Sequence, residues 1–145
     1  MIKGKITSVN ISDSKGEKKH NIGTCALLKD KGLAGDAHAG FMHRQVSLLA
    51  QESIDKIRAK GLDVKAGDFA ENLTTEGIVL HELPVGTMLK TTGGVRMRVT
   101  QIGKECHTRC AIFQAVGDCV MPREGIFTEV LNDGTISVGD ELEVI

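Results

Sequence analysis

Apolar and polar residues alternate from Met1 to Ser12, with Ile2, Gly4, Ile6 and Ser8 on one side and the residues between them on the other. A period of two sends successive side chains to opposite faces of an extended backbone, so this stretch predicts a first strand. Asp13-Ser14-Lys15-Gly16-Glu17-Lys18-Lys19-His20 is polar throughout and predicts a loop, with His20 solvated, before Ile22 to Leu28 re-enters the sheet. The sharpest local signal is Thr87 to Thr92, then Gly93-Gly94, then Val95 to Ile102. Paired glycines supply the positive φ angles of a tight hairpin turn, and the second strand of this hairpin runs straight towards Cys106. Thr135 to Ile145, interrupted at Val138-Gly139-Asp140, predicts a closing strand pair or a bent terminal strand.

Two stretches follow helical spacing instead. Gln51 to Lys60 places Ile54 and Ile57 on one face with Gly61 just beyond, the pattern of a short amphipathic helix ended by a glycine. Arg123 to Leu131 carries Ile126, Phe127, Val130 and Leu131 at helical intervals behind Pro122, which suits a first turn, and so predicts a second helix. Seventeen glycines against two prolines describe short extended pieces joined by tight turns. The fold class is therefore mainly β with a few short helices. No linker or shift of composition divides residues 1–145, which read as one domain.

Charge removes several function classes. Eighteen basic and 19 acidic residues are interspersed and sum to −1, which leaves no electrostatic footprint for duplex nucleic acid. Four Phe with no Trp or Tyr leave few platforms for stacked single-stranded bases. The N-terminal residues lack the apolar core of a signal peptide and no apolar run reaches membrane-spanning length, so a cytoplasmic protein is expected. In that compartment the four cysteines stay reduced, which favours a catalytic or metal-binding thiol over a disulfide scaffold.

The candidate chemistry is concentrated in Gly103-Lys104-Glu105-Cys106-His107-Thr108-Arg109-Cys110. A thiol ionises more readily beside Lys, Arg or protonated His, and the thiolate is the form that attacks electrophiles, carries sulfur or binds metal. Cys106, among Lys104, His107 and Arg109, is the thiol best placed for this, although Glu105 opposes the effect; the plain alternative is a pair of buried cysteines. Structural zinc fits poorly. Cys106 and Cys110 stand four apart and Cys119 nine further on, which matches no paired-knuckle spacing. Two other segments gather polar groups. Gly35-Asp36-Ala37-His38-Ala39-Gly40-Phe41-Met42-His43-Arg44 is either a binding loop or a solvated loop in which Asp36 caps its own turn. In Ala66 to Gly77, Glu71 either accepts backbone hydrogen bonds to stiffen a loop or lines a polar pocket.

Taken in order, these segments resemble the MOSC family, the domain at the C-terminus of molybdenum cofactor sulfurases, which also occurs as small stand-alone bacterial proteins. The resemblance rests on Gly35-Asp36-x-His38-x-Gly40 with Arg44-x-Val46-Ser47-Leu48, and on Asp68-Phe69-x-Glu71-Asn72-Leu73-Thr74-Thr75-x-Gly77. Val85-Gly86-Thr87 with Leu89, and Val99-Thr100-Gln101 leading to Cys106, complete it over roughly residues 30 to 125. Two positions depart from the pattern: Glu105 stands where many members have proline, and Ala70 where glycine is frequent.

The resemblance implies a β-barrel-like fold and one essential cysteine, at Cys106. It implies that this thiol carries a persulfide or contacts the molybdenum of a bound pterin cofactor, with Asp36, His38, Arg44, Glu71 and Asn72 lining the pocket and Lys104 and His107, beside the thiol, also binding the cofactor. Sulfurtransferase-like activity through Cys106 would follow, with a separate cysteine desulfurase as donor and a molybdoenzyme or its cofactor as acceptor. The larger relatives carry a pyridoxal-phosphate domain for which this chain has no room, so pyridoxal phosphate is not expected. Two alternatives stay open: a molybdenum-dependent reductase component for N-hydroxylated compounds with Cys106 as a metal ligand, and a module that only binds the cofactor. Exposed strand edges make a homodimer plausible. Cys110, Cys119 and His43 receive no role, and Cys25 should matter little.

Overall fold

Seven strands close on themselves. The structure is a computed structural model and describes residues 2–13, 18–36, 44–103 and 120–145. Among these the strands are β1 (Lys3–Ile11), β2 (His20–Asn21), β3 (Thr24–Leu28), β4 (Gly32–Leu33), β5 (Val46–Ala50), β6 (Leu73–Glu76), β7 (Met88–Thr91), β8 (Arg96–Ile102), β9 (Ile126–Val130), β10 (Gly134–Ser137) and β11 (Glu141–Val144). Helices α1 (Gln51–Arg58) and α2 (Met121–Glu124) and a 3-10 turn (Leu80–Glu82) complete the described elements. The order β11-β7-β8-β9-β5-β6-β1 becomes a barrel because β1 also pairs with β11, Lys3 opposite Glu143 and Lys5 opposite Glu141. Closure of this kind removes the sheet edges that would otherwise invite pairing with another chain. β2 is an appendage of β1, and β10, β3 and β4 form a separate three-stranded sheet.

Local pattern explains much of this. The hairpin stands where the glycines put it, with β7 paired to β8 and Gly94 at φ +86°, a conformation that costs a residue without a side chain little. The alternation of β1 is interrupted once, by a register shift between Ile6 and Ser8 against β6, which turns Ser8 and Asn10 away from the barrel interior. Thr135 to Ile145 holds two strands, but they do not pair with each other: β10 pairs with β3, while β11 pairs with β7 and β1.

The β5–β6 pair is parallel, so it needs a crossover, and α1 lies within it. Val46, Leu48 and Ala50 face the barrel core with Leu73, Met97, Val99, Ile126 and Val130. Leu49 faces the other way, into a second cluster with Ile54 and Ile57 of α1, Phe69, Val120 and Phe127. Burial on both faces is why β5 reads Val-Ser-Leu-Leu-Ala with little alternation.

The helix expected over Arg123 to Leu131 is corrected. Its one helical turn, α2, ends at Glu124, and Ile126–Val130 is a strand between β5 and β8. Ile126 and Val130 fill the barrel while Phe127 packs under α1, so apolar residues on both faces of a strand imitate helical spacing. The β-branched Ile126, Thr128 and Val130 then favour the extended form.

Candidate functional site

One row of residues crosses the barrel wall on the face that carries α1. Gln101 of β8 stands opposite Phe127 of β9, and Phe127 stands opposite Ser47 of β5. Ser47 in turn binds Asn72, just before β6: the Asn72 side-chain oxygen accepts from the Ser47 N–H at 3.0 Å and from its hydroxyl at 3.2 Å. The Asn72 amide donates onward to the Asn10 carbonyl of β1 at 3.2 Å.

Asp36, distant in sequence from the adjacent Glu71 and Asn72, meets them in this network. Asp36 and Lys19 form an ion pair at 2.6 Å with both side chains 1% exposed. The same Asp36 oxygen accepts the Ser12 N–H at 3.1 Å, and Lys19 also donates to the Ser12 hydroxyl at 3.3 Å. Burial pushes the Asp36 carboxyl up, but hydrogen bonds from Lys19 and Asn72 and the Lys19 charge overcome it and hold the group below its usual range. Asp36 is thus not a solvated turn cap; it clamps three stretches of chain. Lys19 belongs to the stretch expected to be a solvated loop, whereas His20 beside it is exposed.

Glu71 has no exposed surface. One carboxyl oxygen accepts the Gly67 N–H at 3.0 Å and the other the Thr74 hydroxyl at 2.8 Å, while Asn10 donates to the Thr74 hydroxyl at 3.1 Å and to the Glu71 carbonyl at 3.2 Å. Of the two expected roles this is the loop-stiffening one. Desolvation raises the carboxyl to about 7 in spite of these bonds. The turn it braces has no room for a side chain at Gly67, where a Cβ would strike the Lys19 carbonyl. Ala70 sits in the same turn at φ +61°, the left-handed region that strains any residue with a Cβ. That strain explains why glycine suits this position. Ala70→Gly is expected to raise stability by about 1 kcal/mol, or about 3 °C in melting temperature. A calorimetric scan checks it, and a fall in melting temperature would contradict it.

Arg44 is the most accessible of the described candidates. Its Nε donates to the Gln101 side-chain oxygen at 3.1 Å, and its guanidinium lies 5.4 Å from the centroid of the Phe127 ring. Gln101 donates from its amide to the Gly103 carbonyl at 2.7 Å, and the Gly103 N–H reaches the Gly125 carbonyl at 2.6 Å. The end of β8 is therefore held at Gly103. Glu124 of α2 is held as well: it accepts from the Ser53 hydroxyl at 2.6 Å and from Lys56 at 2.9 Å, both on α1.

His38, His43, Lys104, Cys106, His107, Cys110 and Cys119 lie outside the described residues. Cys25 is described and buried, and desolvation raises its thiol, the opposite of what a reactive cysteine needs. Sequence reasoning named Asp36, Glu71 and Asn72 as site residues but not Lys19, Ser47 or Asn10, which hold them, nor Gln101, which holds Arg44. Among the described residues no helix is long and apolar enough to cross a membrane.

A closed, strand-rich barrel with a buried polar network across its wall defines the class of fold. The family model of the MOSC domain matches residues 34–143, and the chain belongs to that family. A search of curated proteins finds no match. Among solved structures, the YuaD protein of Bacillus subtilis is similar at a TM-score of 0.83 and 19% identity, over 99% of this chain and 96% of that one. YiiM of Geobacillus stearothermophilus gives 0.71 at 19% identity over 98% and 75%, and YiiM of Escherichia coli 0.69 at 18% over 100% and 70%. These likenesses are of fold.

Proposed function

We propose that the protein is a sulfur carrier that serves molybdenum cofactor maturation through Cys106. Membership of the MOSC family, which is associated with that cofactor in general, supports the reading. The observation that carries it is the double anchorage of the chain around Cys106: Gly103 tied to Gly125 and Gln101 on one side, Glu124 tied to Ser53 and Lys56 on the other. A carrier thiol is best served by a rigid base, and the described residues on either side of the Cys106 segment supply one.

The chemistry is an exchange. The Cys106 thiolate attacks the outer sulfur of a persulfide on a cysteine desulfurase; the new S–S bond forms at Cys106, the donor's S–S bond breaks, and the donor cysteine departs as thiolate. A nucleophilic acceptor then takes the terminal sulfur and Cys106 leaves as thiolate, with no net oxidation. Bound molybdenum cofactor would supply a metal centre able to hold sulfur. Of the described residues expected to bind it, Arg44 has the chemistry for a phosphate, while the side chains of Asp36, Glu71 and Asn72 are engaged inside the protein and support the wall.

Cys106→Ser is expected to abolish sulfur uptake from a desulfurase with the melting temperature unchanged, and Cys25→Ser to leave uptake intact. Mass spectrometry of the loaded variants checks both, and uptake retained by Cys106→Ser would overturn the reading.

A further inference from the structure

Beside the turn that Glu71 braces lies a cleft of about 790 Å³, within the range of about 300–1,000 Å³ usual for small-molecule sites. One wall is the stretch that leads into β2, where exposure alternates: Lys18 and His20 face the cleft, while Lys19 turns in towards Asp36. The other wall is the turn after α1, with Asp63, Lys65 and Asp68. The Lys19 N–H donates to the Gly67 carbonyl at 2.9 Å, and Gly67 has no room for a Cβ there, so the two walls are fixed against each other. Arg44, Ser47 and Asn72 do not line the cleft, which sets it apart from the row that crosses the barrel wall.

The charges of the cleft that lack a partner are positive. Among the described residues Lys18 and Lys65 make no ion pair, whereas Asp68 accepts the Lys65 N–H at 3.0 Å and Asp63 lies 4.0 Å from Arg58. The Asn21 side-chain oxygen is taken by the N–H groups of Val9 at 3.1 Å and Gly23 at 2.9 Å, which leaves its amide hydrogens to offer. The floor, Thr7 and Ser8 of β1, has the opposite polarity. Thr7 gives its hydroxyl proton to the Thr74 carbonyl at 3.1 Å. Ser8 gives its own to the Asn10 side-chain oxygen at 2.5 Å, since the Asn10 amide is committed to the Thr74 hydroxyl and the Glu71 carbonyl. Both floor oxygens therefore present lone pairs. None of the described Phe rings lines the cleft, so a flat base has no such platform on which to stack. We propose that the cleft binds a small organic phosphate that carries hydroxyl groups: the Lys18 and Lys65 ammonium groups and the Asn21 amide hold the phosphate, and Ser8 and Thr7 accept from the hydroxyls. Lysine serves phosphate as a point charge, and a bare anion would leave the floor oxygens without donors. The site is independent of the sulfur-carrier reading.

The test is isothermal titration calorimetry of the full chain with three probes, glycerol phosphate, inorganic phosphate and glycerol. Glycerol phosphate should bind at least about tenfold more tightly than either of the others, and Lys18→Met/Lys65→Met should weaken it about tenfold or more. Added salt should weaken it as well, because both lysines are exposed. Ser8→Ala should bring glycerol phosphate down to the level of inorganic phosphate; if that variant does not fold, Thr7→Val takes its place. Arg44→Met should leave the binding unchanged, which separates this site from the phosphate contact expected of Arg44. No binding of glycerol phosphate at about 10 mM would overturn the proposal. So would equal affinities for glycerol phosphate and inorganic phosphate, or wild-type affinity in the double lysine variant. A loss in Arg44→Met with the lysine variant unaffected would place the phosphate at Arg44 and overturn it too.

Discussion

Lys19→Met should cost about 3–5 kcal/mol, a large share of the stability of any domain of this size. The substitution leaves the Asp36 carboxylate buried with its partner cation gone, at a point where both side chains are 1% exposed and 2.6 Å apart. It also withdraws the donor to the Ser12 hydroxyl. Urea denaturation followed by circular dichroism reads the change, and with a slope of about 2 kcal/mol per molar the midpoint should fall by about 2 M. Removing both charges in Lys19→Met/Asp36→Leu should recover part of the loss, because an apolar pair leaves no uncompensated ion. The acid limb follows from the same pair. Asp36 is held below its ordinary range, so its contribution is present above the unfolded carboxyl range and is lost as pH falls through the folded value. A Lys19→Met variant within 1 kcal/mol of wild type would contradict the buried pair.

Glu71 acts with the opposite sign. Its folded value is raised from 4.5 to about 7, so the folded state binds the proton more tightly than the unfolded state. Stability is therefore greatest below the unfolded value, falls as pH rises from about 4.5 to about 7, and levels off above that. A shift of that size corresponds to a loss on the order of 3 kcal/mol across the window. Glu71→Gln keeps an acceptor for the Gly67 N–H and an amide facing the Thr74 hydroxyl without the charge. The expected result is a protein more stable than wild type at pH 8 and nearly level with it at pH 5. Melting temperatures from pH 5 to 8 decide the matter, and a Glu71→Gln curve with the wild-type slope would show that Glu71 is not the titrating group.

The elements legible in the sequence are those whose signal is local. The hairpin around Gly93-Gly94, the first strand and α1 each carry their own turn chemistry or period. Barrel closure between β1 and β11 and the parallel β5–β6 pair join residues far apart, and no local period announces either. β9 was misleading because both of its faces are covered, and Phe127, read as a helical position, proved to be the platform for Arg44. In the site, motif order pointed to Asp36, Arg44, Glu71 and Asn72. It did not show that three of these are turned into one another. Lys19 had no signal at all: it follows Lys18 in a polar run, and only the fold decides which of two adjacent lysines is buried against a carboxylate.

The most direct measurement is a native mass spectrum of the wild-type protein after incubation with a cysteine desulfurase and cysteine, followed by peptide mapping. A reductant-labile gain of one sulfur atom on Cys106 is the predicted result. A protein that takes up no sulfur there, or takes it up only at another cysteine, would contradict the carrier function.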